Sequence, residues 1–182
     1  MKLVRLTALT LAAAALPLGA AFAKNPTVGG AAMYPNKTIV ENTVNSKDHT
    51  TLVTAAKAAG LVDTLSGTGP FTVFAPTNAA FDRLPAGTVD TLIKPENKGT
   101  LTQILTYHVV PGRVTAAQLA AKIKAGRGSA ALTTVEGGKL TERMSGRNIV
   151  LTDAKGGTST VTVANVMQSN GVIHVVDRVM MP

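Results

Sequence analysis

"FTVFAPTNAAF", residues 71–81, drives a strand-like apolar run into Pro76 and then into two small polar residues, Thr77 and Asn78. A strand that stops abruptly before a helix is one way an enzyme presents a nucleophile. That device needs a Ser or Cys at a sharp turn, close-packed glycines, a base, and an acid that orients the base. Here the turn offers Thr77 and Asn78, with no glycine beside them. Both are residue types that accept a hydrogen bond from the free N–H groups opening a helix. Pro76 has no N–H to give a β-ladder and ends the strand. The stretch is expected to be a strand stop, a helix cap and a short helix, with Phe81 returning to the core.

His49, His108 and His174 show no i, i+4 ligand spacing, and the chain has no cysteine. Zinc chemistry is not expected, and no cofactor is called for. His174 and Asp177 stand three apart on a strand-like run, hence on opposite faces, so local geometry gives no base–orienter pair. The carboxylates are few and sit in caps or turns (Asp48, Asp153) or on helix surfaces (Asp82, Asp90, Glu96). A hydrolase is disfavoured on these grounds. Tyr107 and His108 fall where a helix gives way to a strand, and a histidine there can hold the junction by hydrogen bonds.

The elements that must position these residues begin after a leader. Lys2 and Arg5 precede an apolar stretch, Leu6 to Leu18, and Ala21-Phe22-Ala23 is a small-x-small cleavage site. Residues 1–23 are therefore expected to be a secretory signal peptide, which places the protein outside the cell or in the periplasm. Removing Lys2 and Arg5 lowers the formal net charge of the 182-residue chain from +8 to +6. No later apolar run reaches the roughly 20 residues of a membrane span. A basic exported chain is expected to be drawn to anionic envelope polymers or phospholipid surfaces. Few aromatics are available to stack on bases, and nucleic acid is not expected.

Residues 24–36 are rich in Gly and Pro and read as an N-terminal arm, ordered in part through Met33 and Tyr34. Ile39, Val40 and Val44 suggest a short helix. Ser46 or Asp48 should cap a second, stopped by Gly60. Leu101, Ile104, Leu105 and His108 fall at i, i+3, i+4 and i+7 of an amphipathic helix. Thr115 and Gln118 form a capping box for another, with Leu119 and Ile123 inward and Lys122, Lys124 and Arg127 near its end. From about Ala130 the chain is a series of β-rich runs separated by glycine turns. In the last of them Val172 and Val176 face one way, Ile173 and Val175 the other, as in a buried central strand. Helices first and strands last make an α+β layout.

Three ordered blocks, "FTVFAPTNAAF", "LTYHVVPG" and "SNGVIHVVDRVMMP", resemble a fasciclin domain. The upstream "VGGAAMYP" and "AAGLVDTL" are similar to its bacterial, secreted, single-domain branch, and the resemblance runs from Met33 to Pro182. It implies a fold of two small β-sheets wedged together, short helices along one side, and a domain over 37–182. It also implies adhesion outside the membrane and no catalytic residues. In animal fasciclin domains a Tyr-His pair is associated with integrin recognition, a role the resemblance carries to Tyr107 and His108. The acidic–aliphatic pair of those domains is replaced here by Asn165 and Val166, which removes the carboxylate best suited to a receptor's metal ion.

The expected function is therefore a cell-surface or matrix adhesion module, its partner a surface or matrix polymer or an envelope protein. The expected partner surface runs from Tyr107 and His108 through Asn165 and Val166 to the Asn170-Gly171 turn. A second expectation is a carrier of a lipid or other apolar ligand held between the wedged sheets. Few aromatics are present to line such a pocket.

Overall fold

The computed structural model describes residues 25–182; the expected leader, residues 1–23, lies outside the described residues. β1 (Thr27–Val28) and β2 (Ala31–Ala32) form a hairpin joined by Gly29 and Gly30. The stretch expected as an arm is thus folded onto the body. Val28 and Met33 are buried in one cluster with Val166 and Ile173, whereas Tyr34 is half exposed, with the Lys37 ammonium 5.1 Å from its ring centre.

Thr38 and Glu41 form a capping box that opens α1 (Ile39–Thr43). A single 3-10 turn, Lys47–His49, leads into α2 (Thr50–Ala59), which stops at Gly60 in the left-handed region, φ 72°. Glycine holds that conformation without a Cβ penalty. α3 (Val62–Ser66), β3 (Phe71–Pro76), α4 (Asn78–Asp82) and α5 (Thr88–Leu92) follow as short pieces. α6 (Lys98–Tyr107) buries Leu101 and Leu105 against Ala55, Ala56 and Ala59 of α2, where small side chains let the two helices close on each other. β4 (Val109–Pro111) precedes α7 (Ala116–Ala125), which opens with the Thr115–Gln118 capping box and buries Leu119 and Ile123.

β5 (Ser129–Thr133), β6 (Lys139–Ser145), β7 (Asn148–Thr152), β8 (Thr158–Gln168) and β9 (Gly171–Val176) complete the chain. The strand order is β4-β3-β9-β8-β7-β6-β5. β9 runs parallel to β3, Phe71 opposite Gly171 through Pro76 opposite Val176, and all six of its residues are buried. Such a strand is apolar on both faces because both faces are covered.

β8 belongs to two sheets. Its first residues, Thr158–Thr160, pair with β7, and Val161–Gln168 pair with β9 across two register shifts. Bulges of that kind bend and twist a strand. The result is two small sheets joined through one strand, an α+β fold as expected. Phe74, Tyr107, Leu140, Leu151, Val176 and Met180 share a core with Leu119 and Ile123 of α7, which packs on β5 and β6. Burying a Leu or Ile fully stabilises the fold by about 1.5–3 kcal/mol. One inward position breaks the pattern: Glu142 of β6 is buried and neither carboxylate oxygen is hydrogen-bonded.

Candidate functional site

The strand stop after Pro76 is built from backbone and caps. Thr77 is the N-cap of α4, its Oγ1 accepting from Ala80 N at 3.3 Å. Asn78, expected to share that task, turns to another helix. Its Oδ1 accepts from Thr51 N at 3.0 Å, and its Nδ2 donates to Lys47 O at 2.8 Å and Thr50 Oγ1 at 3.0 Å. Asn78 therefore caps α2, a place expected of Ser46 or Asp48. Ser46 is diverted, its Oγ lying 2.9 Å from His49 Nδ1. Because this bridge satisfies a free N–H at the start of α2, Asn78→Ala is expected to lower stability by about 1–2 kcal/mol. Amide exchange in the first turn of α2 should rise with it. Unchanged melting and exchange would refute the bridge.

All three histidines are buried; His108 and His174 are bonded to backbone, while His49 leaves its Nε2 without a partner. His108 is buried at the end of α6: Nδ1 donates to Ile104 O at 2.8 Å, and Nε2 accepts from Met180 N at 3.0 Å. Burial pushes its pKa down to about 4. His174 donates through Nε2 to Val114 O at 2.8 Å and stacks on Phe74, with ring centres 5.6 Å apart; burial lowers its pKa as well. The Ser46–His49 contact is sealed, at 1% and 2% exposure, so no substrate reaches it. Among the described residues no group of three His, Asp or Glu could hold a metal ion.

Of the six residues expected to meet a partner, Asn165 alone is exposed. Tyr107 lies in the core, its Oη donating to Lys139 O at 2.7 Å and accepting from Ala154 N at 3.0 Å. Val166 is buried beneath β1 and β2. Asn170 ties the β8–β9 turn to the helices: Oδ1 accepts from Ile39 N at 3.0 Å, and Nδ2 donates to Leu65 O at 2.8 Å and Gly67 O at 2.9 Å. A Cβ at Gly171 would run into the backbone oxygen of Phe71 on the neighbouring strand. Asn165 sits at a β8 register shift with φ 58°, and its Oδ1 accepts the first free N–H of α7, Ala116 N, at 2.8 Å. Asn tolerates that left-handed conformation better than most residues, which accounts locally for an amide at this position.

A cleft that sequence reasoning missed opens between α1, α2, α3, α6 and β3. It holds about 610 Å³ counted to its open mouth, and about 50 Å³ of that is wide enough for the centre of a water molecule. Val73 and Leu105 line it together with the His108 ring, while Val40, Leu52, Val53 and Val62 come from the helices around it, and Lys57 is its sole charged lining residue. No single segment carries the signal, because each contributes at most three aliphatic side chains.

A family model described as the fasciclin domain matches residues 47–182. Protein sll1483 of Synechocystis sp. is 46% identical over 187 residues, covering 100% of this chain and 96% of that protein. Immunogenic protein MPB70 of Mycobacterium bovis is 36% identical over 143 residues, covering 76% of this chain and 65% of that protein. Cell surface glycolipoprotein MPB83 of the same species is 34% identical over 166 residues, covering 88% and 68%. Among solved structures, a FAS1 domain pair from the insect cell adhesion molecule Fasciclin I superposes with a TM-score of 0.70 at 21% identity. That match covers 81% of this chain and 52% of the pair, about half its length.

Proposed function

The chain belongs to the fasciclin domain family, and from that premise we propose that it works outside the cytoplasm as a non-enzymatic adhesion module. Its partner is a cell-surface or matrix polymer or another envelope protein. The observation that carries this reading is the commitment of the polar groups that could do chemistry. His108 and His174 are bound to backbone, the Ser46–His49 pair is sealed, and Thr77 and Asn78 cap helices. MPB83, a cell surface glycolipoprotein, supports the location, and the insect cell adhesion molecule that shares the fold is in keeping with the role. No helix among the described residues is long and apolar enough to cross a membrane.

The test is retention of the secreted chain on envelope and extracellular fractions of the source cell at low and moderate salt. Salt-resistant retention above that of an unrelated exported protein of equal charge is expected. Retention no greater than that control would overturn the reading.

The apolar cleft favours a second reading, a carrier of a single-chain lipid whose anionic end meets Lys57. A ligand that binds only the native state at 100 times its Kd adds about 2.7 kcal/mol of stability. Long-chain fatty acids should then raise the melting temperature, and no shift with any chain length would remove this reading.

A further inference from the structure

The two-sheet fold gathers cations that are dispersed in the sequence. β5 and β6 pair with Ser129 opposite Arg143, so the Gly126–Gly128 turn that follows α7 stands beside the last residues of β6. β6 and β7 close with Ser145 opposite Asn148, which places Arg147 in the turn at the same end. Lys124 and Arg127 from the helix side thus share one end of the sheet with Arg143 and Arg147 from the hairpin, and all four are exposed. None is in an ion pair; among the described residues the one side-chain ion pair is Arg83–Asp177 at 3.2 Å.

No carboxylate within β5–β8 or the turns between them is exposed at this end. Glu136 lies in the β5–β6 turn and Asp153 in the β7–β8 turn, both at the opposite end of the strands. Glu142, the one acidic residue of β6, points inward and is buried. Met144 follows Arg143 on β6, on the face of Leu140 and Glu142 and at the open end of the strand, where it is one of the few large apolar side chains exposed on this protein, at 40%. Arg127 holds a left-handed backbone, φ 57°, between two glycines. Glycine takes that conformation at no steric cost, so an arginine there is a chargeable tip kept against its backbone preference.

We propose that this end of the second sheet, with Lys124, Arg127, Arg143, Arg147 and the exposed Met144, docks the protein onto an anionic phospholipid bilayer. Four unpaired cations at one pole match a negatively charged headgroup layer. Met144 decides between a bilayer and a soluble polyanion, because a flexible apolar side chain gains by entering the headgroup boundary and gains nothing from a polysaccharide. The inference rests on the proposed function only for the location outside the cytoplasm.

Co-sedimentation of the secreted chain with vesicles tests it, using mixed phosphatidylglycerol–phosphatidylcholine against phosphatidylcholine alone. Binding to the anionic vesicles alone is expected. Each basic residue at such a surface strengthens binding about fivefold, so R143Q/R147Q should weaken it roughly 25-fold. M144S should weaken it a few-fold and remove most of the binding that survives moderate salt. All these positions are exposed, so melting temperatures should match the parent and fold loss is excluded as a cause. K94Q/K98Q, which removes the same charge elsewhere, should change binding less than about threefold. Equal losses in the two double variants would overturn the proposal, since net charge alone would then explain binding. So would parent-like behaviour of M144S together with full competition by dextran sulfate, which would assign the surface to a polymer. Absence of vesicle binding overturns it too, and leaves the proposed adhesion standing or falling on the envelope-fraction test.

Discussion

Glu142→Gln should stabilise the protein by on the order of 3 kcal/mol at about pH 8 and change it little at about pH 4. The carboxyl lies inward on β6 without a hydrogen bond, and burial pushes its pKa from 4.5 up to about 7, with the Lys122 ammonium opposing the rise weakly. A raised acid pKa means that the folded state holds the proton more tightly than the unfolded chain does. The stability this contributes is complete below the unfolded value of 4.5 and is lost as pH climbs to about 7. Above that, the fold contains a buried charge with no partner, the arrangement proteins tolerate least. Glutamine keeps the shape and discards the charge. Urea unfolding of parent and variant across this range measures the effect; parallel pH profiles would show that Glu142 is solvated after all.

His108→Leu has the opposite sign. It is expected to destabilise by about 3 kcal/mol at neutral pH, because it strands Ile104 O and Met180 N in the core. It should also remove an acid limb. Burial lowers the histidine's pKa from 6.5 to about 4, so its contribution is complete above 6.5 and is lost as pH falls through about 4. Charging that ring in the fold costs on the order of 3 kcal/mol. In the parent, His108 and Glu142 act across overlapping windows in opposite directions. Glu142→Gln should therefore steepen the acid loss, and His108→Leu should flatten it. Equal slopes in parent and His108→Leu, measured by the same unfolding series, would assign the acid limb to His49 and His174, whose pKa values burial also lowers.

What could be read from the sequence was local. Thr115 and Gln118 lie three apart and make their capping box within one turn. Leu101, Ile104 and Leu105 announce the inner face of α6, and paired glycines mark the strand turns. Asn78, Asn165 and Asn170 could not be read in the same way. Their side chains bond to residues 27, 49 and 131 positions away, respectively. An asparagine before a helix looks like that helix's own cap, and only the packed fold shows it serving another. The cationic end was hidden for a related reason. Lys124, Arg127, Arg143 and Arg147 are scattered along the chain, and it is the β5–β6–β7 register that brings them together. The alternation in "KLTERM" does place Glu142 on the face of Leu140. Without α7 lying above it, nothing says how costly that position is.

β9 occupies the middle of the first sheet, yet it is made from residues 171–176 and pairs with a strand formed by residues 71–76. The contacts that complete the core thus join segments about a hundred residues apart. Pairings of such long range are slow to form, since the intervening chain must be ordered before they stabilise anything. A ribosome that has delivered β3, α6 and even β8 has still not supplied the strand between β3 and β8. Until it does, β3 keeps an apolar edge with no neighbour. The order of the strands therefore acts as a timer: folding waits for the whole domain.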